Sequence, residues 1–138
     1  MSENKSILII TDDSDETGNT AKKIASSIDK LLDKLPDGLN GSKVLVKAAS
    51  GFVGTDLLPA NIIFIGCEEP SPPCFSYFEE MLQHINLAGR SCGIFSSSKK
   101  AVQYLSKLVK DSDISIKAEP LLVDNSSDIS EWAARVIG

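Results

Sequence analysis

The sequence is poor in the groups that most often carry chemistry. It has a single histidine, His84, so no Ser-His-Asp or Cys-His set can be assembled in one cleft. That histidine lies two positions off the apolar stripe at Leu82 and reads as a solvated side chain. The three cysteines, Cys67, Cys74 and Cys92, are odd in number. They match neither a redox pair nor a zinc pattern, which points to a reducing cytoplasm. No apolar run approaches the length that spans a bilayer, and Met1–Lys5 does not read as a secretory signal. A surplus of positive charge is also missing: the net charge is −5. That argues against nucleic acid and anionic membrane as partners and mildly for basic proteins. What remains is ordinary for a soluble domain, with 42% apolar and 24% charged residues in a chain of 138. A chain of this size buries roughly two-thirds of the surface its unfolded form exposes. The expectation is one monomeric domain over residues 1–138.

Along the chain, strand and helix patterns alternate. Ile7–Ile10 and Ile62–Ile65 are apolar at every position, as strands covered on both faces must be. Lys43–Ala48 alternates and reads as an edge strand; Cys92–Phe95 and Leu121–Val123 complete five. Helical spacing runs from Thr20 to Leu35, where Pro36–Gly41 stops it. It recurs through Phe75, Phe78, Leu82 and Ile85, through Val102, Leu105, Leu108 and Val109, and through Ile129, Trp132, Ala133, Val136 and Ile137. Ser50–Pro59 is too short for a long crossover helix. Ser96–Ser98 offers an N-cap to the helix after it. The pattern predicts an α/β fold: a three-layer doubly wound sandwich with a five-stranded parallel sheet in the order 2-1-3-4-5. Its crevice opens past the carboxyl ends of the first and third strands, where residues 11–20, 66–75 and 96–99 meet.

The first of those segments carries the sharpest signal. Asp15, Glu16, Thr17, Gly18, Asn19 and Thr20 lie between a strand and a helical stretch. A turn there leaves main-chain amides of residues 16–20 without partners, at the positive end of the helix dipole. Gly18 permits close approach, and Thr17 and Thr20 offer hydroxyls, so the segment suits a phosphate. The spacing is not that of dinucleotide-binding or ATPase glycine motifs. Thr17-Gly18-Asn19-Thr20 in this place resembles the phosphate loop of flavodoxins, which hold flavin mononucleotide (FMN). Asp56–Gly66, Ile85–Arg90 and Glu131-Trp132-Ala133 are similar to that family's approaches to strands three and four and to its closing helix. The resemblance implies FMN as cofactor, with Ser14, Asp15, Glu16, Thr17, Gly18, Asn19 and Thr20 around its phosphate. Gly66, Cys67 and Glu68 would lie along one side of the ring, and Ser96, Ser97 and Ser98 along the other.

Two departures set this chain apart from that family. The position two before Thr17, usually Ser or Thr, is Asp15, and the loop is about two residues longer. It carries Asp12, Asp13, Asp15 and Glu16. A carboxylate about 7 Å from a phosphate opposes it by roughly 0.5 to 2.5 kcal/mol per charge pair. Ser14 is the candidate to bend in as the missing hydroxyl. The flanking loops, Cys67–Cys74 and Ser96–Lys99, contain no aromatic residue, so Phe75, Tyr77 or Phe52 would have to face the ring. Tyr77, off the apolar stripe, suits a rim; Phe75, Phe78 and Trp132 suit the core. Cys67, at a strand end, is a candidate thiol but more simply a small hydrophobe. A phosphate-accepting receiver domain fails, because the third strand ends at Gly66-Cys67 without Asp and the fifth at Val123-Asp124 without Lys. The acidic turn offers oxygen ligands for Mg²⁺ or Ca²⁺. Two functions therefore compete: an FMN-binding electron carrier between protein partners, docking basic redox proteins, and a module of the same fold that has lost flavin and serves regulation or protein binding. A small flavin-dependent reductase is a third.

Overall fold

The strand Ser6–Thr11 (β1) sits at the centre of the chain's packing because both of its faces are apolar. Leu8 and Ile10 point into one core layer and Ile7 and Ile9 into the other. A computed structural model describes residues 6–12, 14–34, 43–51, 60–70, 73–85, 87–110, 112–116, 118–123 and 128–137. The further elements are helix α1 (Asp15–Lys34), β2 (Lys43–Ala48), β3 (Ile62–Gly66), α2 (Ser76–Leu82), β4 (Ser91–Ser96), α3 (Lys99–Lys110), β5 (Ser115–Ile116), β6 (Leu121–Leu122) and α4 (Ile129–Ile137). Short 3₁₀ turns occupy Ala49–Gly51 and Pro73–Phe75. The expected stop of α1 over Pro36–Gly41, the segment Asp56–Pro59, Asp13 and Phe52 lie outside the described residues.

The sheet is parallel, in the order β2-β1-β3-β4-β5, as the alternation of patterns requires. β1 pairs with β2 from Ser6 opposite Lys43 and with β3 from Ile7 opposite Ile62. One position differs from expectation. The fifth place holds two short pieces rather than the single strand Leu121–Val123: β5 lies beside Ser91 and Cys92, and β6 beside Phe95 and Ser96. Between them the chain leaves the sheet. Ala118 turns into the core, the Glu119 carbonyl accepts the Trp132 indole N–H at 2.8 Å, and Pro120 has no N–H to give a ladder.

Helices α1 and α4 cover one face through Ala21, Ile24, Ile28, Trp132, Ala133 and Val136; α2 and α3 cover the other through Phe78, Leu82, Leu105 and Val109. These are the predicted stripes. Trp132, 2% exposed, packs edge-to-face on Phe64 and Phe95 at centroid distances of 5.4 and 6.3 Å, each contact worth about 0.5–1.5 kcal/mol beyond its burial. Phe75 meets Phe78 at 5.9 Å. No helix among the described residues is long and apolar enough to cross a membrane.

Candidate functional site

The carboxyl ends of β1, β3 and β4 converge on the crevice that the strand order predicts. The first segment there is built differently from expectation. Helix α1 starts at Asp15, not Thr20, because Ser14 is an effective cap. Its Oγ accepts the Thr17 amide at 3.3 Å and its carbonyl accepts the Gly18 amide at 3.1 Å. Asp15 and Glu16 in the first turn add the negative charge that a helix N-terminus favours. Asn19 and Thr20 therefore lie in the second turn, where main-chain amides take carbonyls four residues back. The expected row of open amides over residues 16–20 is thus largely closed by the helix itself.

The hydroxyls follow suit. Thr17, 1% exposed, donates to Glu68 Oε1 at 3.1 Å; Thr20, 8% exposed, donates to the Glu16 carbonyl at 3.1 Å. Ser14 does bend inward, but toward the protein: its Oγ lies 2.6 Å from Asp12 Oδ1 and 2.8 Å from Thr17 Oγ1. Asp15, Glu16 and Asn19 are exposed, and Gly18 is half-buried.

Asp12 is the hub of the site, and reading the sequence did not single it out for this role. It is 8% exposed. Its Oδ1 accepts the Ser14 amide at 3.1 Å as well as the Ser14 hydroxyl, and its Oδ2 accepts the Glu68 amide at 2.9 Å. Its own amide donates to the Gly66 carbonyl at 3.2 Å. Glu68 closes the arrangement, taking the Thr17 hydroxyl on one carboxylate oxygen and the Ser97 hydroxyl on the other. A local signal existed for part of this: Ser14-Asp15-Glu16-Thr17 is an N-cap followed by an acidic first turn. No local signal pairs Asp12 with Glu68, 56 residues away.

Along the expected ring position, β4 ends at Ser96 and α3 begins at Lys99, leaving only Ser97 and Ser98 between them. Ser97 gives its hydroxyl to Glu68, and Ser98 is turned to local use. Ser96 Oγ accepts the Ser98 amide at 2.9 Å, and Ser98 Oγ caps the Ala101 amide at 3.4 Å. On the other side, Gly66 is glycine because Phe95 demands it: a Cβ there would lie 2.3 Å from the Phe95 ring. Cys67 is buried and donates its thiol to the Glu69 carbonyl at 3.2 Å. Burial first, then the Asp12 and Glu68 carboxylates, push its pKa up to about 12, so it is not an activated nucleophile. Phe75 is fully buried between Phe78 and Tyr104, which removes it as a ring partner. Tyr77 is 50% exposed. Tyr104 donates to Glu79, and burial together with that bond raises its pKa. Among the described residues no cluster of three or more His, Cys, Asp or Glu side chains suits a metal ion.

These residues do not fit FMN as placed. The phosphate donors are engaged with Ser14, Glu16 and Glu68, two carboxylates occupy the mouth of the first turn, and the described crevice loops offer a ring no aromatic face.

No protein-family model and no curated protein matches the chain. Solved structures do. A flavodoxin of Streptococcus pneumoniae TIGR4 is 18% identical, with a TM-score of 0.75 over 96% of this chain and 97% of that one. Oxidised flavodoxin 2 from Bacillus cereus is 17% identical, at 0.68 over 94% and 92%. A Fusobacterium nucleatum flavodoxin bound to flavin mononucleotide is 13% identical, at 0.56 over 91% and 82%. The match runs over nearly the whole of this chain and, with the strand order β2-β1-β3-β4-β5, shows that the fold of this chain is the flavodoxin fold.

Proposed function

We propose that this chain is a flavodoxin-fold interaction module that works without a resident flavin. The observation that carries the reading is the two-residue connection Ser97-Ser98 between β4 and α3. A flavin ring held at this crevice needs a wall on each side to keep it from water, and two serines, Ser97 bonded to Glu68 and Ser98 capping α3, supply none. The engaged hydroxyls of Thr17 and Thr20 support the same conclusion. What the module presents instead is an acidic rim, with Asp15, Glu16 and Glu69 exposed around the crevice, in a chain of net charge −5. Basic protein segments are the partners that such a rim would draw, with association falling as salt rises. The three cysteines, none of them in a disulfide, suit a reducing compartment such as the cytoplasm.

One observation favours the second reading, an FMN-binding electron carrier docking basic redox partners. A Cβ at Gly18 would meet nothing within 4 Å, so packing gives no reason for a glycine in the first turns of a helix, where it costs about 1 kcal/mol. A ligand approaching the backbone would give one. In that case Thr17, Gly18, Asn19 and Thr20 would hold the phosphate and the flavin would supply one-electron chemistry. A single titration separates the readings. FMN fluorescence is followed as purified protein is added, into the high micromolar range. The module leaves it unquenched, and saturable quenching at one site per chain establishes the carrier.

A further inference from the structure

We propose that Glu68 is a built-in anion: its carboxylate holds the place that a ligand's phosphate would need, and its charge keeps the crevice closed to phosphate-bearing molecules. The inference rests on the flavin-free reading above and identifies the side chain that enforces it. Glu68 follows β3 by two residues and is fixed at its backbone by the 2.9 Å bond from its amide to Asp12 Oδ2. From there the side chain reaches both neighbouring loops. One oxygen takes the Thr17 hydroxyl at 3.1 Å, on the first turn of α1; the other takes the Ser97 hydroxyl, ahead of α3. An external phosphate at the start of α1 would call on the Thr17 hydroxyl that Glu68 already holds.

The Glu68 carboxylate therefore substitutes for a ligand in two senses. It accepts hydroxyls that a phosphate could call on, and it ties the ends of β1 and β3, the start of α1 and the β4–α3 turn into one network. A phosphate could enter only by displacing it, with the Asp12 carboxylate still facing the site.

The test uses the full chain with Glu68→Ala and Glu68→Gln, and inorganic phosphate as the probe. Binding is read by titration calorimetry and by the thermal midpoint in phosphate against chloride at equal ionic strength. Wild type should show no phosphate-specific rise. Glu68→Ala should bind phosphate saturably and at least about tenfold more tightly than wild type, a change of about 1.4 kcal/mol. Glu68→Gln keeps an acceptor for Thr17 without the charge and should fall between the two. The proposal is overturned if Glu68→Ala, folded by circular dichroism, responds to phosphate as wild type does, or if wild type already binds phosphate as tightly as the variant. Should Glu68→Ala not fold, the folded Glu68→Gln decides: a gain in phosphate binding supports the proposal and none overturns it. FMN binding by wild type would defeat the flavin-free reading itself. Its absence, combined with unresponsive variants, would defeat the Glu68 inference alone.

Discussion

Replacing Asp12 by Asn changes one oxygen to an NH₂ group and should destabilise the chain, although it removes a negative charge from a crowded acidic loop. The Asp12 carboxylate accepts from two directions, Ser14 on Oδ1 and the Glu68 amide on Oδ2. An asparagine has one acceptor oxygen, so whichever way it turns, its NH₂ group meets a donor. At least one hydrogen bond to a charged group is lost, worth about 1.5–3 kcal/mol, and a part-buried donor is left without its acceptor. Opposing this, the repulsion between Asp12 and Glu68 is relieved, on the order of 1 kcal/mol at the effective dielectric of a partly solvated site.

The hydrogen-bond loss wins by about 0.5–2 kcal/mol. For a domain of this size that lowers the thermal midpoint by about 2–7 °C. Trp132, the only tryptophan and 2% exposed, reports unfolding, so urea titration followed by its fluorescence measures the difference without adding salt. The slope m should stay unchanged, because the surface exposed on unfolding is the same. Asp12→Ala should lose as much or more, since it removes every acceptor. An Asp12→Asn protein as stable as wild type, or more so, would refute the reasoning: repulsion would then dominate, and the network would be a consequence of the fold rather than a support for it. Repeating the titration at high salt isolates the charge contribution, because screening weakens repulsion between partly exposed carboxylates more than it weakens short hydrogen bonds.

The two glycines of the crevice should respond in opposite directions. Gly66→Ala forces a Cβ to within 2.3 Å of the Phe95 ring and should cost about 1–3 kcal/mol, whereas Gly18→Ala meets nothing within 4 Å and should add about 0.5–1 kcal/mol of helix stability; urea midpoints check both, and a destabilised Gly18→Ala would contradict the open space above that turn. A thiol reagent at pH 8 should label the half-buried Cys74 before Cys67 and Cys92, both buried and both with pKa values pushed up to about 12, chiefly by burial. Because the folded values exceed the ordinary 9.0, the unfolded chain releases these protons first. Stability from the two neutral thiols is therefore complete below pH 9 and lost between about pH 9 and 12; a Cys67→Ser, Cys92→Ser protein should show a flatter alkaline limb in urea midpoint against pH.

Most of the fold was legible because its signals are local. Ile7–Ile10 and Ile62–Ile65 can be apolar at every position only if helices cover both faces, and the stripes on α1, α3 and α4 gave those helices their buried sides. The broken fifth strand was not legible. Ser115 and Ile116 are too few and too exposed to stand out, and the interruption depends on an indole N–H from α4 taking the Glu119 carbonyl. The start of α1 was misplaced for a different reason. Thr17–Thr20 resembles a ligand loop, so the stretch reads as a turn, while Ser14 as an N-cap with Asp15 and Glu16 behind it already described a helix. Two local signals conflicted, and hydrogen-bond satisfaction decided between them.

The candidate site shows why a crevice at a strand-order reversal does not by itself imply a ligand. The topology brings the ends of β1, β3 and β4 together whatever the loops contain, and each end exposes main-chain and hydroxyl donors that need acceptors. A bound phosphate is one way to satisfy them. In this chain Ser14, Asp12 and Glu68 are another, reached across a separation of 51 residues between Thr17 and Glu68. A site whose donors are already met has no unsatisfied group to reward an incoming anion, and its carboxylates oppose one. The fold therefore argues for the place of a site, and the loops argue for what that place can hold. On that division, resemblance to flavodoxins carries the architecture, while Asp12, Glu68 and the two-serine turn carry the proposal of a flavin-free module.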